Sequence, residues 1–336
     1  MREKIKKIAW VLKKIFIIFL GLIIIFLLGT TIWNKVVCMK EDKALRQVGT
    51  NVNVNGKDIR VSVTGKGKKT IVLLSGMGTT SPIIDFKPLA DKLSDHYQVV
   101  TLDYAGYGLS DDSSDRRTSQ AVVEEIRGTL RKLEIKPPYI LMPHSVSGIY
   151  SLQYMNTYPK EIEAMIGIDC AVPNQAKYEG DFYVSDGLYY LARFMDATGL
   201  KRLSCLSGDA YLKDMEASGS YSEEDMRNVS ALYNRKSVSK AQLSESRLFQ
   251  ENCKMLYDKK YPDNIPVLFI LSRDSCKVFS KELAQKGFNA TWEGLHKEVI
   301  SNPEIQKIVY LEGAHYLHWK QSKAIAEKAD DFIQGK

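Results

Sequence analysis

A serine that could act as a nucleophile lies in the segment MPHSVSG, residues 142–148. A serine hydroxyl attacks a carbonyl only when a neighbouring base removes its proton. The segment is close to the strand–turn–helix pattern G-x-S-x-G, in which the residues two before and two after the serine must be small. Ser145 is flanked by Pro143 and Ser147, whereas Ser147 would be flanked by the β-branched Ile149. The sequence therefore favours Ser145 as the nucleophile.

Two histidines and two aspartates are candidates for the base and for the acid that orients it. His315 lies in EGAHYLH directly after the last apolar run, and His318 is the alternative three residues later. Asp274 follows the run PVLFILS, and Asp169 ends an earlier run. We favour His315 and Asp274, because Asp274 follows the strand next to the one that leads to His315. The chain order Ser, Asp, His accompanies the G-x-S-x-G turn.

Backbone N–H groups must stabilise the oxyanion that forms when a serine attacks an acyl group. One is expected from Val146, which follows the nucleophile at the N-terminus of a helix. The other is expected from Met77 in the glycine-containing loop SGMGTT, residues 75–80, because glycines let the backbone approach a ligand.

The elements that must position these residues are read from the hydrophobic pattern. A hairpin is expected over 51–65, and short apolar runs then alternate with amphipathic stretches, which predicts a mostly parallel sheet with helices on both faces. The expected strands are 70–76, 97–106, 139–142, 163–170, 266–272 and 307–313. The expected helices are 84–94, 119–133, 148–158 and 319–334.

The alternation stops between residues 173 and 263, where the sequence is helical and aromatic, so we expect a helical cap inserted into the sheet domain. Six aromatic residues open this stretch and would line an acyl pocket or form the core of the cap: Tyr178, Phe182, Tyr183, Tyr189, Tyr190 and Phe194. The expected divisions are a basic tail and anchor (1–34), a connector (35–48), the first part of the core (49–172), the cap (173–263) and the second part of the core (264–336).

Taken in order, these segments resemble the α/β-hydrolase superfamily over about residues 50–336. LLSGMGTTSP resembles its oxyanion loop, VVTLDYAGYGLSD its Asp-x-x-Gly-x-Gly-x-Ser segment and PPYILMPHSVSGIYSLQYMNTYP its nucleophile turn. PVLFILSRDS and GAHYLH resemble its acid and histidine segments. The resemblance implies the α/β-hydrolase fold and a serine hydrolase without a metal or an organic cofactor. It implies the triad Ser145, Asp274 and His315, with the backbone of Met77 and Val146 as oxyanion donors.

Three residues depart from the pattern of that family. Ser75 replaces the histidine of a His-Gly pair, and Pro143 and Ser147 replace the glycines of the nucleophile turn. None of these changes removes a reacting atom, so an altered pocket is expected more than loss of activity.

The positive charge of the chain is concentrated at its N-terminus. Residues 1–14 hold six Lys or Arg and one Glu, which accounts for +5 of the net charge of +7. No basic stripe with interleaved aromatic residues is left in the remainder, so nucleic acid is not an expected partner. The chain has five cysteines without a C-x-x-C pair, and no histidine lies at metal-ligand spacing, so no metal site is expected.

The uncharged run IFIIFLGLIIIFLLGTTIW, residues 15–33, predicts a membrane anchor. At about 1.5 Å per residue it would span about 28 Å, close to the thickness of the hydrocarbon core. The run is longer than the apolar region of a cleaved signal peptide, and no A-x-A site follows it. More Lys and Arg precede the run than follow it, which favours a cytoplasmic N-terminus and a catalytic domain on the other side of the membrane.

The function expected from the sequence is hydrolysis of a carboxylic ester or a related acyl bond through an acyl-enzyme on Ser145. Its position beside a membrane favours a lipidic ester as the small-molecule substrate. Two alternatives remain open. One is a catalytically silent protein of the same fold that binds a ligand or a partner. The other is an aminopeptidase of the proline-iminopeptidase type, although no acidic pair in the cap clearly marks a site for an amine.

Overall fold

A computed structural model of the protein describes residues 1–178, 180, 184–205 and 209–335. Eight strands form one sheet: β1 (Thr50–Val54), β2 (Lys57–Thr64), β3 (Thr70–Leu74), β4 (Gln98–Asp103), β5 (Tyr139–Pro143), β6 (Ile162–Ile168), β7 (Val267–Ser272) and β8 (Gln306–Leu311). Their order across the sheet is β1-β2-β4-β3-β5-β6-β7-β8. The β1–β2 and β2–β4 pairs are antiparallel, and the other pairs are parallel.

The chain also forms helices before, between and after the strands. They are α1 (Arg2–Leu45), α2 (Pro82–Asp85), α3 (Lys87–Leu93), α4 (Ser119–Lys132), α5 (Ser147–Thr157), α6 (Asp186–Thr198), α7 (Leu200–Ser204), α8 (Ala210–Ala217), α9 (Glu223–Tyr233), α10 (Lys240–Lys254), α11 (Arg273–Gln285), α12 (Trp292–Val299), α13 (Leu317–Lys320) and α14 (Ser322–Ile333). Every residue of β3, β5 and β7 is buried, because helices cover both faces of the sheet there. The predicted mostly parallel sheet and the predicted hairpin are confirmed.

Two helices between β7 and β8 were not expected from the sequence. Ser272, the last residue of β7, caps α11, because its side-chain oxygen accepts a hydrogen bond from Ser275 N at 2.9 Å. The chain therefore enters a helix directly at the end of the strand, without an intervening loop. As a consequence, Asp274 lies in the first turn of α11.

Helix α1 is longer than the predicted anchor. Residues 35–45, assigned to a connector in the sequence, continue the same helix as far as Leu45. Leu45 is buried with Ile84 of α2, Leu232 of α9 and Trp319 of α13 in an apolar cluster apart from the sheet. The end of α1 is therefore packed into the globular part of the protein.

The sheet brings the candidate chemistry to one edge. Because β3, β5, β6, β7 and β8 are parallel, the loops that follow them meet at their carboxyl ends. Helices α6 to α10 are inserted between β6 and β7.

Candidate active site

Ser145 lies in a strained turn between β5 and α5. Its φ angle is 52°, in the left-handed region that costs a residue with a side chain about 1–3 kcal/mol. Gly76 passes close by, and a Cβ atom there would lie 2.9 Å from the Cβ of Ser145. Pro143 is the last residue of β5, where the missing N–H is tolerated. The turn thus holds Ser145 at the carboxyl edge of the sheet, as expected from the sequence.

Ser147 has a different task in this turn. Its side chain is fully buried, and its hydroxyl donates a hydrogen bond to the carbonyl oxygen of Ser75. The hydroxyl of Tyr104 lies 2.8 Å from the same oxygen of Ser147. The hydroxyl that replaces a glycine therefore ties the start of α5 to the loop after β3.

His315 is paired with Asp169 and not with Asp274. The Nδ1 atom of His315 lies 2.7 Å from Oδ2 of Asp169. Asp169 follows β6, the strand next to β5, and its φ angle of 41° is also in the left-handed region. Asp169, the other candidate acid in the sequence, is therefore the carboxylate that orients this histidine.

The prediction of Asp274 as the partner of His315 is wrong in this structure. The Asp274 side chain is 53% exposed on α11, and its Oδ1 atom lies 3.9 Å from Nζ of Lys277. The cause is the early start of α11, which takes Asp274 into a helical turn. Asp274 still lines the cavity described below.

The carboxylate of Asp169 is fully buried and has several donors. It accepts hydrogen bonds from Ser272 N at 3.0 Å, Ser275 Oγ at 2.6 Å and Trp292 Nε1 at 3.1 Å, in addition to His315. Burial by itself would raise the pKa of Asp169, but its hydrogen bond to His315 and these further donors bring the pKa below the usual value. Asp169 is therefore an anion at neutral pH, as a carboxylate that orients a histidine should be.

His315 reaches into a cavity with its other ring nitrogen unused. Its side chain is 41% exposed, and Nε2 makes no hydrogen bond to any described residue. Its carbonyl oxygen lies 3.1 Å from Nε2 of the buried His144. Burial, followed by the nearby His315 and His318, lowers the pKa of His144, so that ring is neutral and donates this bond. Ser145 and His315 make no direct hydrogen bond, a contact that often forms only when substrate binds.

The two predicted oxyanion donors lie beside Ser145. Met77 and Val146 line the same cavity as the serine, and neither backbone N–H forms a hydrogen bond within the described residues. The next N–H, that of Gly78, is already used, because it donates to the hydroxyl of Tyr107 at 3.2 Å. Of these two neighbouring N–H groups, that of Met77 has no acceptor among the described residues, and its role as an oxyanion donor stays a prediction.

His318, the other candidate base, is excluded by its burial. Its Nε2 atom lies 2.7 Å from Oδ2 of Asp85, and neither side chain is exposed. Trp319 Nε1 also donates to Asp85, at 2.8 Å. The pair has no access to the cavity and belongs to the packing of α13 against α2.

A cavity of about 720 Å³ lies over Ser145, Asp169 and His315. Apolar side chains form much of its wall: Val184, Val238, Phe249, Val278, Phe279 and Trp292. A cavity of this size with a largely apolar wall suits an apolar small molecule. Of the six aromatic residues at the start of the cap, the four that the structure describes do not supply this wall. Tyr178, Tyr189, Tyr190 and Phe194 lie elsewhere, and Phe182 and Tyr183 fall outside the described residues.

Comparison with known proteins agrees with the fold described above. A family model described as the alpha/beta hydrolase fold matches residues 69–217. Among solved structures, epoxide hydrolase I of potato (Solanum tuberosum) is similar in fold, with a TM-score of 0.63 and 17% sequence identity. The match covers 85% of this chain and 99% of that structure.

Two curated relatives are similar over part of the chain. The uncharacterized protein YbdG of Bacillus subtilis is 40% identical over 170 residues, which is 50% of this chain and 52% of that protein. A 2-(acetamidomethylene)succinate hydrolase of Mesorhizobium japonicum is 30% identical over 111 residues, 33% of this chain and 39% of that protein. The chain thus spans about half or less of the length of these relatives.

Proposed function

Because the chain belongs to the α/β-hydrolase fold superfamily, we propose that it is a serine hydrolase that cleaves a carboxylic ester or a related acyl bond. The observation that carries this proposal is the contact between His315 Nδ1 and Asp169, beside Ser145 in its strained turn. A histidine held by a buried anion, with its second nitrogen directed at a cavity that also contains a serine, is the arrangement that activates a hydroxyl.

In the proposed reaction, His315 takes the proton of Ser145 as the serine oxygen attacks the acyl carbon. The bond to the leaving alcohol then breaks, and His315 returns the proton to that alcohol. Water hydrolyses the acyl-serine in the same way, with His315 again acting as the base. Asp169 holds the ring in the tautomer that leaves Nε2 free, and stabilises the positive charge that develops on it.

The negative charge on the acyl oxygen would be stabilised by the N–H groups of Met77 and Val146. Removal of one such donor typically costs about 10²–10³ in kcat, so the position of the loop that carries Met77 matters for the rate. That loop is held at both sides. Ser147 binds the carbonyl of Ser75, and Tyr107 accepts from the N–H of Gly78.

We also propose that residues 15–33 of α1 span a membrane, with the N-terminus in the cytoplasm and the hydrolase on the other side. In the described part of the chain, α1 is the helix that is long and apolar enough to cross a bilayer. Its apolar side chains from Ile15 to Phe26 are exposed, as expected of a segment that contacts lipid. We also propose that the chain is divided into the N-terminal tail and anchor, a helical cap and two parts of the core.

The test is hydrolysis of p-nitrophenyl esters of increasing chain length by the full chain in detergent. We expect release of p-nitrophenol, and we expect Ser145→Ala to remove it. Ser147→Ala is the matched control in the same turn; it should keep about a tenth of the wild-type activity, whereas Ser145→Ala should keep none. Folded wild-type protein that hydrolyses none of these esters would favour the alternative, a silent protein that binds a ligand in the cavity.

A further inference from the structure

Helix α6 of the cap has an uncharged face that is directed away from the protein. Its inner face includes the buried residues Tyr189 and Asp196. With 3.6 residues per turn, its exposed apolar side chains share one arc of about 160°. These side chains are Leu188, Tyr190, Leu191 and Phe194. An outward face of this kind marks a surface that another apolar phase covers.

The C-terminal end of α6 is fastened to the anchor helix. Asn34 of α1 is buried and donates to the carbonyl oxygen of Asp196 at 3.0 Å. Gly199 follows α6 with a φ angle of 76°, and a Cβ atom there would lie 2.6 Å from the Cβ of Asn34. Arg202 donates to Asn34 at 3.2 Å and to both carboxylate oxygens of Glu41 at 2.7 and 2.9 Å. The orientation of α6 relative to α1 is therefore fixed.

These contacts set the height of α6 relative to the proposed bilayer. The uncharged run of α1 ends at Trp33, and Asn34 is the next residue. Thr30, whose carbonyl oxygen lies against Gly199, is about 4.5 Å before the end of that run at 1.5 Å per residue. The end of α6 therefore meets α1 where the hydrocarbon core gives way to the headgroups, the level at which Tyr and Trp are enriched.

The N-terminal end of α6 lies at the cavity. Val184, two residues before the helix, lines the cavity. At the C-terminal end, the Asp196 carboxylate accepts hydrogen bonds from Ser237 N at 2.9 Å and Ser237 Oγ at 2.6 Å. Ser237 is also part of the cavity wall. Helix α6, about 20 Å long by its 13 residues, thus adjoins the cavity near both ends and contacts the anchor at its C-terminal end.

We infer that the outward face of α6 lies in the interfacial layer of the bilayer that α1 spans, and that the cavity receives its acyl substrate from that layer. This inference rests on the membrane anchor and the hydrolase activity proposed above. A second copy of the chain is a poorer occupant, since a stable protein interface needs about 800 Å² and 20–30 residues from each partner. Four side chains on one helix are far fewer, but they match what a helix lying on a membrane buries.

Photo-crosslinking tests where this face lies, independently of catalysis. The full chain would carry the photoreactive amino acid p-benzoylphenylalanine in place of Leu191, in vesicles of phosphatidylcholine and phosphatidylglycerol. We expect lipid adducts at position 191, but protein adducts within the same chain when the probe replaces the inward-facing Tyr189. Absence of a lipid adduct at 191, or an adduct to a second copy of the chain, would overturn the inference. If the inference fails in this way but the protein still hydrolyses p-nitrophenyl acetate, the proposed hydrolase function is unaffected.

The supply of substrate from lipid is tested by a charge on the same face. Leu191→Asp should lower hydrolysis of a fluorogenic diacylglycerol held in vesicles by at least about tenfold, because an aspartate resists transfer into the interface. Its rate with the water-soluble p-nitrophenyl acetate should match the wild type. Met255→Asp, a matched change of an exposed residue after α10, should alter neither rate. Equal rates of Leu191→Asp and wild type on the vesicle substrate would contradict the proposed route.

Discussion

Two histidines that lie three residues apart in the chain each contact an aspartate at the same distance, but the two pairs have different surroundings. His315 and Asp169 are 2.7 Å apart, as are His318 and Asp85. His144 packs between the two histidine rings, with centroids at 4.5 and 4.8 Å from them. A short contact to a carboxylate therefore does not by itself identify a base.

The two pairs differ in which ring nitrogen of the histidine contacts the aspartate. His315 bonds Asp169 through Nδ1, so Nε2 is left for the cavity. His318 bonds Asp85 through Nε2, and its Nδ1 is buried without a hydrogen-bond partner in the described part of the chain. One pair can exchange a proton with a substrate, and the other can only hold helices together. We expect substitutions to separate these two roles.

The largest expected effect is the loss of the exposed histidine. His315→Gln should lower kcat/KM for an ester by about 10⁴-fold or more, because the serine would have no base. His318→Gln is the matched change in the buried pair, and per folded molecule it should keep most of the activity. Steady-state kinetics, with the folded fraction measured by circular dichroism, would check both. Equal losses in the two variants would show that the pairs do not differ in function.

The next effect concerns the acid. Asp169→Asn should lower kcat by about 10³–10⁴-fold, since the amide no longer stabilises the imidazolium or selects the tautomer. Asp274→Asn should change kcat by less than about threefold, as expected of an exposed side chain on α11. The reverse order of the two losses would restore Asp274 as the acid.

For the buried pair the expected effect is on stability. His318→Ala should lower the free energy of unfolding by about 3–5 kcal/mol, because among the described residues it leaves the buried Asp85 with Trp319 as its remaining side-chain donor. His315→Ala should cost less, since that side chain is partly exposed. Urea unfolding of the two variants gives the comparison, and a larger loss for His315→Ala would contradict it.

A smaller effect is expected from the serine that replaces a glycine. Ser147→Ala removes the hydrogen bond to the Ser75 carbonyl and leaves the Tyr104 hydroxyl without this partner. We expect kcat to fall by about tenfold with little change in KM, because the loop of Met77 would be held less firmly against the oxyanion. An unchanged kcat would show that this hydroxyl contributes only to packing.

The pH dependence of stability should be the smallest effect. The pKa of Asp169 is lowered in the folded protein, so its ionised form adds stability that is fully present above the unfolded value, about 3.9. That stability is lost as the pH falls through the folded pKa. The difference in unfolding free energy between wild type and Asp169→Asn should therefore stay constant from pH 7 to 5 and narrow below about pH 4. A difference that widens in acid would contradict the sign.

Much of the sheet, and the positions of Ser145 and His315 at its carboxyl edge, can be predicted from the sequence. A buried strand appears in the sequence as a short apolar run. Ser145 can be preferred over Ser147 from local sequence, because the β-branched Ile149 would crowd a turn centred on Ser147. His315 follows because it comes directly after a strand. Each of these inferences depends on a few neighbouring residues.

The acid could not be fixed in that way, because it depends on which carboxylate the ring of His315 reaches. Asp169 and Asp274 both follow buried strands, and only the capping of α11 by Ser272 moves Asp274 away. Two signals were available. The stretch RDSCKVFSKELAQ has Val278, Phe279 and Leu283 at helical spacing, and Asp169 ends the strand beside that of the nucleophile.

The most direct measurement of the central claim is covalent labelling of the chain with a fluorophosphonate, followed by peptide mapping. We predict one adduct, on Ser145, in the wild type and in Asp274→Asn, and much slower labelling in Asp169→Asn. Ser145→Ala should take no label. Folded wild-type protein that stays unlabelled, or a label that maps to Ser147 or persists in Ser145→Ala, would contradict the account.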